Sequence, residues 1–257
     1  KHFTFDEYKE IIKENQTDKD GNLVYLYTSN AVEQHSFIEA AKKKGYDVLL
    51  LDGQLDTHYV NHLEQKFDKS KFVRVDADVV DKLIAKEDEI KSSLDKKEEA
   101  LIEPVFEIHA PKDGSYQVVF EGLSEDEMPV IITQGEFMRR MKDMSAMGGG
   151  GMNFYGELPD SYNLVVNTNN KLVKEVLGST TESTEKDIQP IDSNIETLEA
   201  DIKNLEQLKE GKKDEEVPQE EKEKLDDLNK QLGDAKDSKS NLLKEYGRSE
   251  ERRVGKE

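Results

Sequence analysis

Strand-like and helix-like patterns of apolar residues alternate over residues 1–76 in an order that predicts a small parallel sheet. Three short apolar runs rich in β-branched and aromatic residues are typical of buried strands. Between them, apolar residues recur at three- to four-residue spacing, which indicates amphipathic helices. The runs are 23–28, 47–51 and 72–75, and the helical apolar positions are Val32, Phe37, Ile38 and Ala41, then Tyr59, Val60, Leu63 and Phe67. Strand, helix, strand, helix and strand in series favour a three-layer α/β unit with right-handed crossovers.

Residues 77–178 carry shorter strand signals and predict a small α+β domain. The region opens with a charged connector at 77–100, which we expect to be helical. Short strands and helices follow it, as is typical of α+β folds. The strand candidates are 116–120, 129–133 and 162–166, and the helix candidates are 135–147 and 169–177.

Residues 179–247 contain two stretches in which apolar residues recur at alternating three- and four-residue spacing. This is the spacing of the core positions of a coiled coil. Gly211 and Pro218 mark a turn between the stretches, so the region predicts an antiparallel coiled-coil hairpin with an acidic surface. The core positions are Ile188, Ile191, Ile195, Leu198, Ile202 and Leu205, then Leu225, Leu228, Leu232, Ala235, Leu242 and Tyr246. Residues 248–257 break this register, have almost no apolar content and are predicted to be non-native.

Composition narrows the class of protein. Charged residues make up 37% and hydrophobic residues 34% of the chain, which suggests a modest core with long solvated helices. The net charge of −20 argues against a nucleic-acid partner, because phosphate binding needs clustered cations. No apolar stretch has the length of a membrane span, and the absence of cysteine excludes disulfides and fits a cytoplasmic protein. The chain starts at Lys1 without an initiator Met, so we expect it to be part of a longer protein.

All six methionines lie between residues 128 and 152, where they define the strongest candidate for a binding surface. Methionine recurs there at helical spacing with charged residues opposite, which predicts an amphipathic helix followed by four glycines and an apolar tip. Because methionine is flexible and polarisable, such a face suits irregular protein partners. The candidate binding residues are Phe137, Met138, Met141, Met144, Met147, Met152, Phe154 and Tyr155. The alternative is that this face packs on the small sheet as core.

Other chemical signals in the sequence are weak. His58 and His62 lie four residues apart, but the glutamate of a zinc-protease motif is absent, so we interpret them as surface histidines. No glycine-rich dinucleotide fingerprint follows Thr28, and the glycines at 148–151 lack the strand, helix and lysine of a phosphate-binding loop. The residues therefore predict no catalytic, metal-binding or nucleotide-binding site in this chain.

The order of these parts resembles the ninety-kilodalton heat-shock chaperone (HtpG) family of bacteria. Residues 23–75 are similar to the α/β subdomain that ends the middle domain of that family. Residues 125–177 are similar to its C-terminal domain, where a Met-Pro-Val-Ile-Ile strand leads into the methionine helix. The resemblance implies an ATP-driven homodimeric clamp that remodels client proteins. It also implies that ATP and Mg²⁺ bind in an N-terminal domain outside this chain, which itself needs no cofactor and is not an enzyme.

The resemblance also assigns a role to the methionine-bearing segment. The family's amphipathic C-terminal helix and its loop contact unfolded or partly folded client proteins, and this role falls on the candidates between Phe137 and Tyr155. The acidic hairpin is an insertion relative to the commoner family pattern. The chain stops near Tyr246, where the helices that pair two protomers would follow, so dimerisation of this chain stays open. Two alternatives remain: a structural adaptor that recruits a protein partner through the coiled coil, and an α/β enzyme with a small-molecule site.

Overall fold

The computed structural model of the protein describes residues 3–53, 55–86, 90–112, 114–135, 161–209 and 218–254. Contacts group the chain into two compact units. The first, here called the sheet unit, comprises Lys1–Ser93 and Pro111–Asn170. The second, the helical unit, comprises Leu94–Ala110 and Lys171–Glu257. The domain boundaries predicted after residues 76, 178 and 247 stay predictions.

The described secondary structure consists of short elements in the sheet unit and longer helices in the helical unit. The sheet unit contains α1 (Phe5–Ile12), β1 (Leu23–Thr28), α2 (His35–Lys43), β2 (Val48–Leu50), α3 (Asp56–Lys66), β3 (Ser70–Arg74), α4 (Val80–Leu83), β4 (Ser115–Glu121), β5 (Val130–Thr133) and β6 (Ser161–Asn167). The helical unit contains α5 (Lys96–Glu107), α6 (Lys171–Lys209) and α7 (Gln219–Val254). None of these helices combines the length and hydrophobicity that a transmembrane span requires.

The first sheet has the strand order β2-β1-β3, with both neighbours parallel to β1. All six residues of β1 are buried, because helices cover both faces of the sheet. On one face, Leu26 belongs to a core cluster with Ile38 of α2. On the other, Tyr25 stacks on Phe72 with ring centroids 4.7 Å apart, in a cluster that includes Leu63 of α3. The predicted three-layer parallel α/β arrangement is confirmed.

A tight turn before β1 is organised by the Asp18 carboxylate, whose side chain is only 2% exposed. It accepts hydrogen bonds from the backbone N–H groups of Asp20 and Asn22, at 3.0 and 2.7 Å, and from Lys71 Nζ of β3 at 2.9 Å. Burial raises the pKa of Asp18, but the bonds from Lys71 and Asn22 outweigh it and lower the pKa to about 2. The carboxylate therefore stabilises the fold in its ionised form.

Asp18→Asn is expected to lower the free energy of unfolding at neutral pH by about 1–3 kcal/mol, because the amide cannot satisfy all the donors that the carboxylate accepts. Since the folded pKa is depressed, the contribution of Asp18 is full above the ordinary carboxyl pKa of about 4 and is lost as pH falls towards 2. Urea unfolding at a series of pH values measures the difference between variant and parent. Asp20→Asn, in the same turn but exposed, is the control. A constant difference between pH 5 and pH 2 would contradict the assignment.

The second sheet has the order β4-β6-β5, with β4 parallel and β5 antiparallel to β6. The three predicted strands at 116–120, 129–133 and 162–166 are confirmed, with no boundary more than one residue away. Val165 of β6 and Ile131 of β5 pack with Val79 and Leu123 in a small core cluster. Asn167 is fully buried, and its side chain bridges the loop after β4 by accepting from the N–H of Leu123 at 3.2 Å and donating to the carbonyl of Ser124 at 2.8 Å. The mixed sheet fits the predicted α+β character of this region.

The charged connector predicted at 77–100 is not one helix. It contains the short α4 and the start of α5, and residues 90–95 between them are not helical. The physical reason is a capping box: Asp95 accepts from the N–H of Glu98, and the Glu98 side chain accepts from the N–H of Asp95. This cap starts a new helix at Lys96. The helix predicted at 169–177 is longer than expected, because α6 continues to Lys209.

In the helical unit, α6 and α7 pack against each other in antiparallel directions. Lys236 of α7 pairs with Glu199 of α6 at 2.8 Å, whereas Lys239, further along α7, pairs with Asp192, earlier in α6, at 2.6 Å. Residues 210–217, which include most of the predicted turn, lie outside the described residues. The predicted hairpin thus fits the helix directions, while its coiled-coil packing stays a prediction.

Helix α5 is a third member of the helical unit. Ile102 and Val105 of α5 are buried, and Lys244 of α7 pairs with Glu107 at 2.8 Å. Of the predicted core positions, four are buried and the others described are half-buried. The four are Ile188, Leu198, Ile202 and Ala235. Helices α6 and α7 are therefore covered by α5 as well as by each other.

Candidate functional site

The candidate binding residues Phe137, Met138, Met141, Met144, Met147, Met152, Phe154 and Tyr155 lie outside the described residues. The structure does describe the residues on either side of the segment that contains them. Strand β5 ends at Thr133 and β6 begins at Ser161, and the two strands are antiparallel neighbours in which Thr133 pairs with Asn163. Residues 136–160, here called the methionine segment, are therefore tied at both ends to adjacent strands of one sheet.

Exposed apolar side chains lie on the strand that leads into this segment. Within β5, Ile131 packs inward, whereas Ile132 is 40% exposed, as the two-residue period of a strand requires. Met128, just before β5, is 59% exposed. Among the described strands β5 forms one edge of the sheet, so the exposed Ile132 offers apolar surface near the point where the methionine segment begins, whereas Met128 lies at the other end of the strand.

A polar cleft of about 330 Å³ lies beside the C-terminal end of β5. It sits at the carboxyl ends of β1 and β3, the point at which the strand order of the first sheet reverses and where open α/β sheets commonly bind ligands. Residues after β1, residues after β3 and the end of β5 line it. They are Ser29, Asn30, Glu33, Gln34, Phe37, Arg74, Asp76, Ile132, Thr133, Gln134 and Tyr162.

Hydrogen bonds join the polar side chains of this cleft into one network. Thr28 Oγ1 donates to Gln34 Oε1 at 2.5 Å, and Gln34 Nε2 donates to Asp76 Oδ2 at 2.6 Å. Arg74 donates to both oxygens of Asp76, through Nε to Oδ1 and through Nη2 to Oδ2 at 2.8 Å. Arg74 Nη2 also donates to Gln134 Oε1 at 3.4 Å. Sequence reasoning missed this network, although the position of Arg74 and Asp76 at the end of a predicted strand was a usable signal.

His62 lies on α3 with its ring centroid 6.4 Å from that of Tyr59. No group of His, Asp and Glu side chains in the described part of the chain has the arrangement to hold a metal ion.

The helical unit has an open groove of about 1040 Å³ of its own. Its floor is apolar and includes Leu101, Leu177, Ile195 and Leu243. Lysine and acidic side chains from α5, α6 and α7 form its rims, so the groove could take a partner of mixed charge with an apolar core.

Comparison with known proteins gives the class of this chain. A family model described as Hsp90 protein matches residues 1–198, which include both sheets and the first part of α6. The chain therefore belongs to the Hsp90 family, and the predicted resemblance is confirmed.

Individual relatives agree with the family. The chain is 47% identical over 248 residues to a chaperone protein HtpG of Bacteroides fragilis, covering 96% of this chain and 36% of that protein. It is 44% identical, with the same coverage, to the chaperone protein HtpG of Bacteroides thetaiotaomicron. It is 46% identical over 218 residues to that of Porphyromonas gingivalis, covering 84% of this chain and 32% of that protein. The chain thus spans about a third of the length of the curated relatives it matches.

Proposed function

We propose that this chain is the client-binding part of a molecular chaperone, which holds unfolded or partly folded proteins against the methionine segment. The observation that carries this proposal is the attachment of both ends of that segment to the adjacent strands β5 and β6, beside the exposed Ile132. A sheet that fixes both ends gives an adaptable methionine surface a defined position. The names of the relatives, which are chaperones, support the same function.

In the full-length protein, client binding would be coupled to an ATP-driven homodimeric clamp. ATP and Mg²⁺ would bind outside this chain, and the residues of this chain would do no catalysis and hold no cofactor of their own. We place the protein in the cytoplasm, with no nucleic-acid or membrane partner. The net charge of −20 supports the absence of these two kinds of partner, because it repels other acidic polymers and surfaces.

Met141→Glu together with Met144→Glu is expected to weaken client binding at least about ten-fold, because a charged face replaces apolar contacts that are worth about 1.5–3 kcal/mol per buried methionine. The measurement is the fluorescence anisotropy of a labelled, chemically unfolded polypeptide titrated with the chain. Thermal unfolding of the variant should match that of the parent.

The matched control is Arg139→Ala together with Lys142→Ala, which changes the net charge by the same amount but alters the polar positions of the predicted helix. This control should bind the polypeptide as well as the parent does. Unchanged binding by the methionine variant would refute the proposal. A methionine variant that no longer folds would show that these side chains are core, as the alternative holds.

A second candidate function is that of a structural adaptor which recruits a protein partner through the helical unit. The observation that favours it is the groove of about 1040 Å³ with an apolar floor and charged rims. Polypeptide binding that survives the methionine substitutions but is lost when Lys236 and Lys239 of the groove are changed to Glu would favour the adaptor over the client-binding surface.

A further inference from the structure

The helical unit has a second cavity, of about 490 Å³, which is lined by the end of α5, the first turns of α6 and the end of α7. Its walls are largely apolar and include two aromatic rings. They are formed by Val105 and Phe106 of α5, Val176 of α6 and Tyr246 of α7. A volume of this size suits a small molecule, and ligands commonly bind between the helices of a bundle.

One polar side chain of this cavity is buried without a hydrogen-bond partner. Thr180 of α6 lines the cavity and is fully buried, yet its hydroxyl has no partner among the described residues. Two nearby threonines differ, because Thr181 and Thr184 each donate to the carbonyl four residues earlier in α6, at 2.8 and 2.7 Å. A buried hydroxyl without a partner destabilises a fold, so a binding role is a physical reason to keep one.

The charges around the cavity favour a neutral ligand. None of the described residues that line it is a lysine or an arginine, so an anion would find no strong cationic partner there. The exposed Glu175 lines the cavity too, but it is already paired with Lys171 at 3.6 Å. A cation placed against Thr180 would lose its water and gain only a hydroxyl, which makes its burial costly.

We propose that this cavity binds a small neutral molecule with an aromatic body and one hydroxyl group, which forms a hydrogen bond with Thr180. The aromatic body packs against Phe106 and Tyr246, and the hydroxyl satisfies the buried threonine. This site goes beyond the client-binding function and does not depend on it. A molecule bound there contacts all three helices, so it stabilises the folded helical unit by mass action.

The test uses 2-naphthol as the probe, an aromatic alcohol whose own fluorescence reports its binding to the full chain. A probe of this size is expected to bind with a Kd of about 0.1–1 mM. Naphthalene has the same rings without the hydroxyl and is the matched comparison. It should bind more weakly, because it leaves Thr180 without a partner.

Thr180→Val removes the hydroxyl and keeps the shape of the side chain. It is expected to weaken 2-naphthol binding about five- to ten-fold and to leave naphthalene binding within about two-fold of the parent. The same change should raise the Tm of the free protein by about 2–4 °C, because it removes an unpaired buried hydroxyl. A threonine with a purely structural role would give a lower Tm instead.

Thr184→Val is the matched control, since it makes the same change one turn further along α6, at a buried hydroxyl that has a partner. It should leave the binding of both compounds unchanged and should not raise the Tm. Thr180→Ser keeps the hydroxyl and should bind 2-naphthol within about two-fold of the parent. Val176→Phe fills the cavity and should abolish the binding of both compounds.

The proposal would be overturned if the parent bound no 2-naphthol, or if Thr180→Val bound it as tightly as the parent does. Equal weakening in Thr180→Val and Thr180→Ser would also overturn it, because the shape of the side chain and not its hydroxyl would then matter. If Thr180→Val did not fold, Val176→Phe would decide, and undiminished binding in that variant would place the probe elsewhere. None of these outcomes bears on client binding, which is measured with an unfolded polypeptide.

Discussion

Gly122→Ala is expected to lower the free energy of unfolding of the sheet unit by about 2–3 kcal/mol. A Cβ atom on Gly122, directly after β4, would lie 2.5 Å from the carbonyl carbon of Lys91, 2.6 Å from its oxygen and 2.6 Å from the nitrogen of Ser92. These are backbone atoms, so no side-chain rotation can relieve the overlap. Relief requires the segment at Lys91 or the end of β4 to move.

Hydrogen bonds with the loop after β6 hold residues 91–93 in place. Asn169 Nδ2 donates to the carbonyl of Lys91 at 3.1 Å, and Ser93 Oγ donates to the carbonyl of Thr168 at 2.6 Å. Both bonds attach the stretch before α5 to the loop after β6. Moving Lys91 away from a new methyl group would break at least one of them, which is why the alanine should be costly.

Urea unfolding followed by tyrosine fluorescence measures the effect, because every tyrosine except Tyr246 falls within the residue ranges of the sheet unit. Gly135→Ala is the control, since a Cβ there would meet no atom within 4 Å among the described residues. The control should change the free energy of unfolding by less than about 0.5 kcal/mol. Equal losses in the two variants would mean that the contact of Gly122 with Lys91 is not tight.

The first sheet was predictable because its information is local. A buried parallel strand such as β1 appears as an unbroken apolar run, and the amphipathic helices between the strands show their period directly. The three strands of the second sheet were also predictable, but their order β4-β6-β5 was not. Strand order depends on which edges meet across long sequence separations, and neither apolar runs nor turn residues encode it.

The candidate site, too, could be predicted only where the signal is local in the sequence. The methionine segment could be proposed as a binding site because all six methionines and four glycines cluster within a short stretch of sequence, and that proposal stays a prediction. The hydrogen-bond network that holds Gln134, just before this segment, could not be predicted. Gln134 and Arg74 are 60 residues apart, and each is an ordinary polar residue. Only the fold shows that β3 and β5 end beside one cleft. A partner so distant in sequence leaves no periodic trace.

The register of α7 shows where periodicity itself misleads. The heptad pattern predicted Leu242 and Tyr246 as core positions, yet both are half-buried. The neighbouring Leu243 is only 1% exposed. The buried Gly247 lies against the end of α5, since a Cβ there would come within 3.4 Å of Val105 and within 2.7 Å of Ile108, the residue that follows the helix. A two-helix hairpin needs one apolar seam. A helix that also packs on α5 buries a second line of residues, displaced by one position from the first.

Leu243→Ala is therefore expected to destabilise the helical unit more than Leu242→Ala does. Removing a fully buried leucine side chain costs about 2–5 kcal/mol, and the cost falls with the exposed fraction of the side chain. Thermal unfolding followed by far-ultraviolet circular dichroism measures both variants, because α5, α6 and α7 supply most of the helical signal. The two variants remove the same atoms from adjacent positions of one helix, so helix propensity cancels in the comparison.

A larger loss from Leu242→Ala would favour the two-stranded coiled coil that the sequence predicts, with α5 a minor partner. A larger loss from Leu243→Ala would establish α5 as part of the core of this unit. In that case α6 and α7 would not form a free-standing hairpin, because their stability would depend on a helix that lies more than sixty residues earlier in the chain.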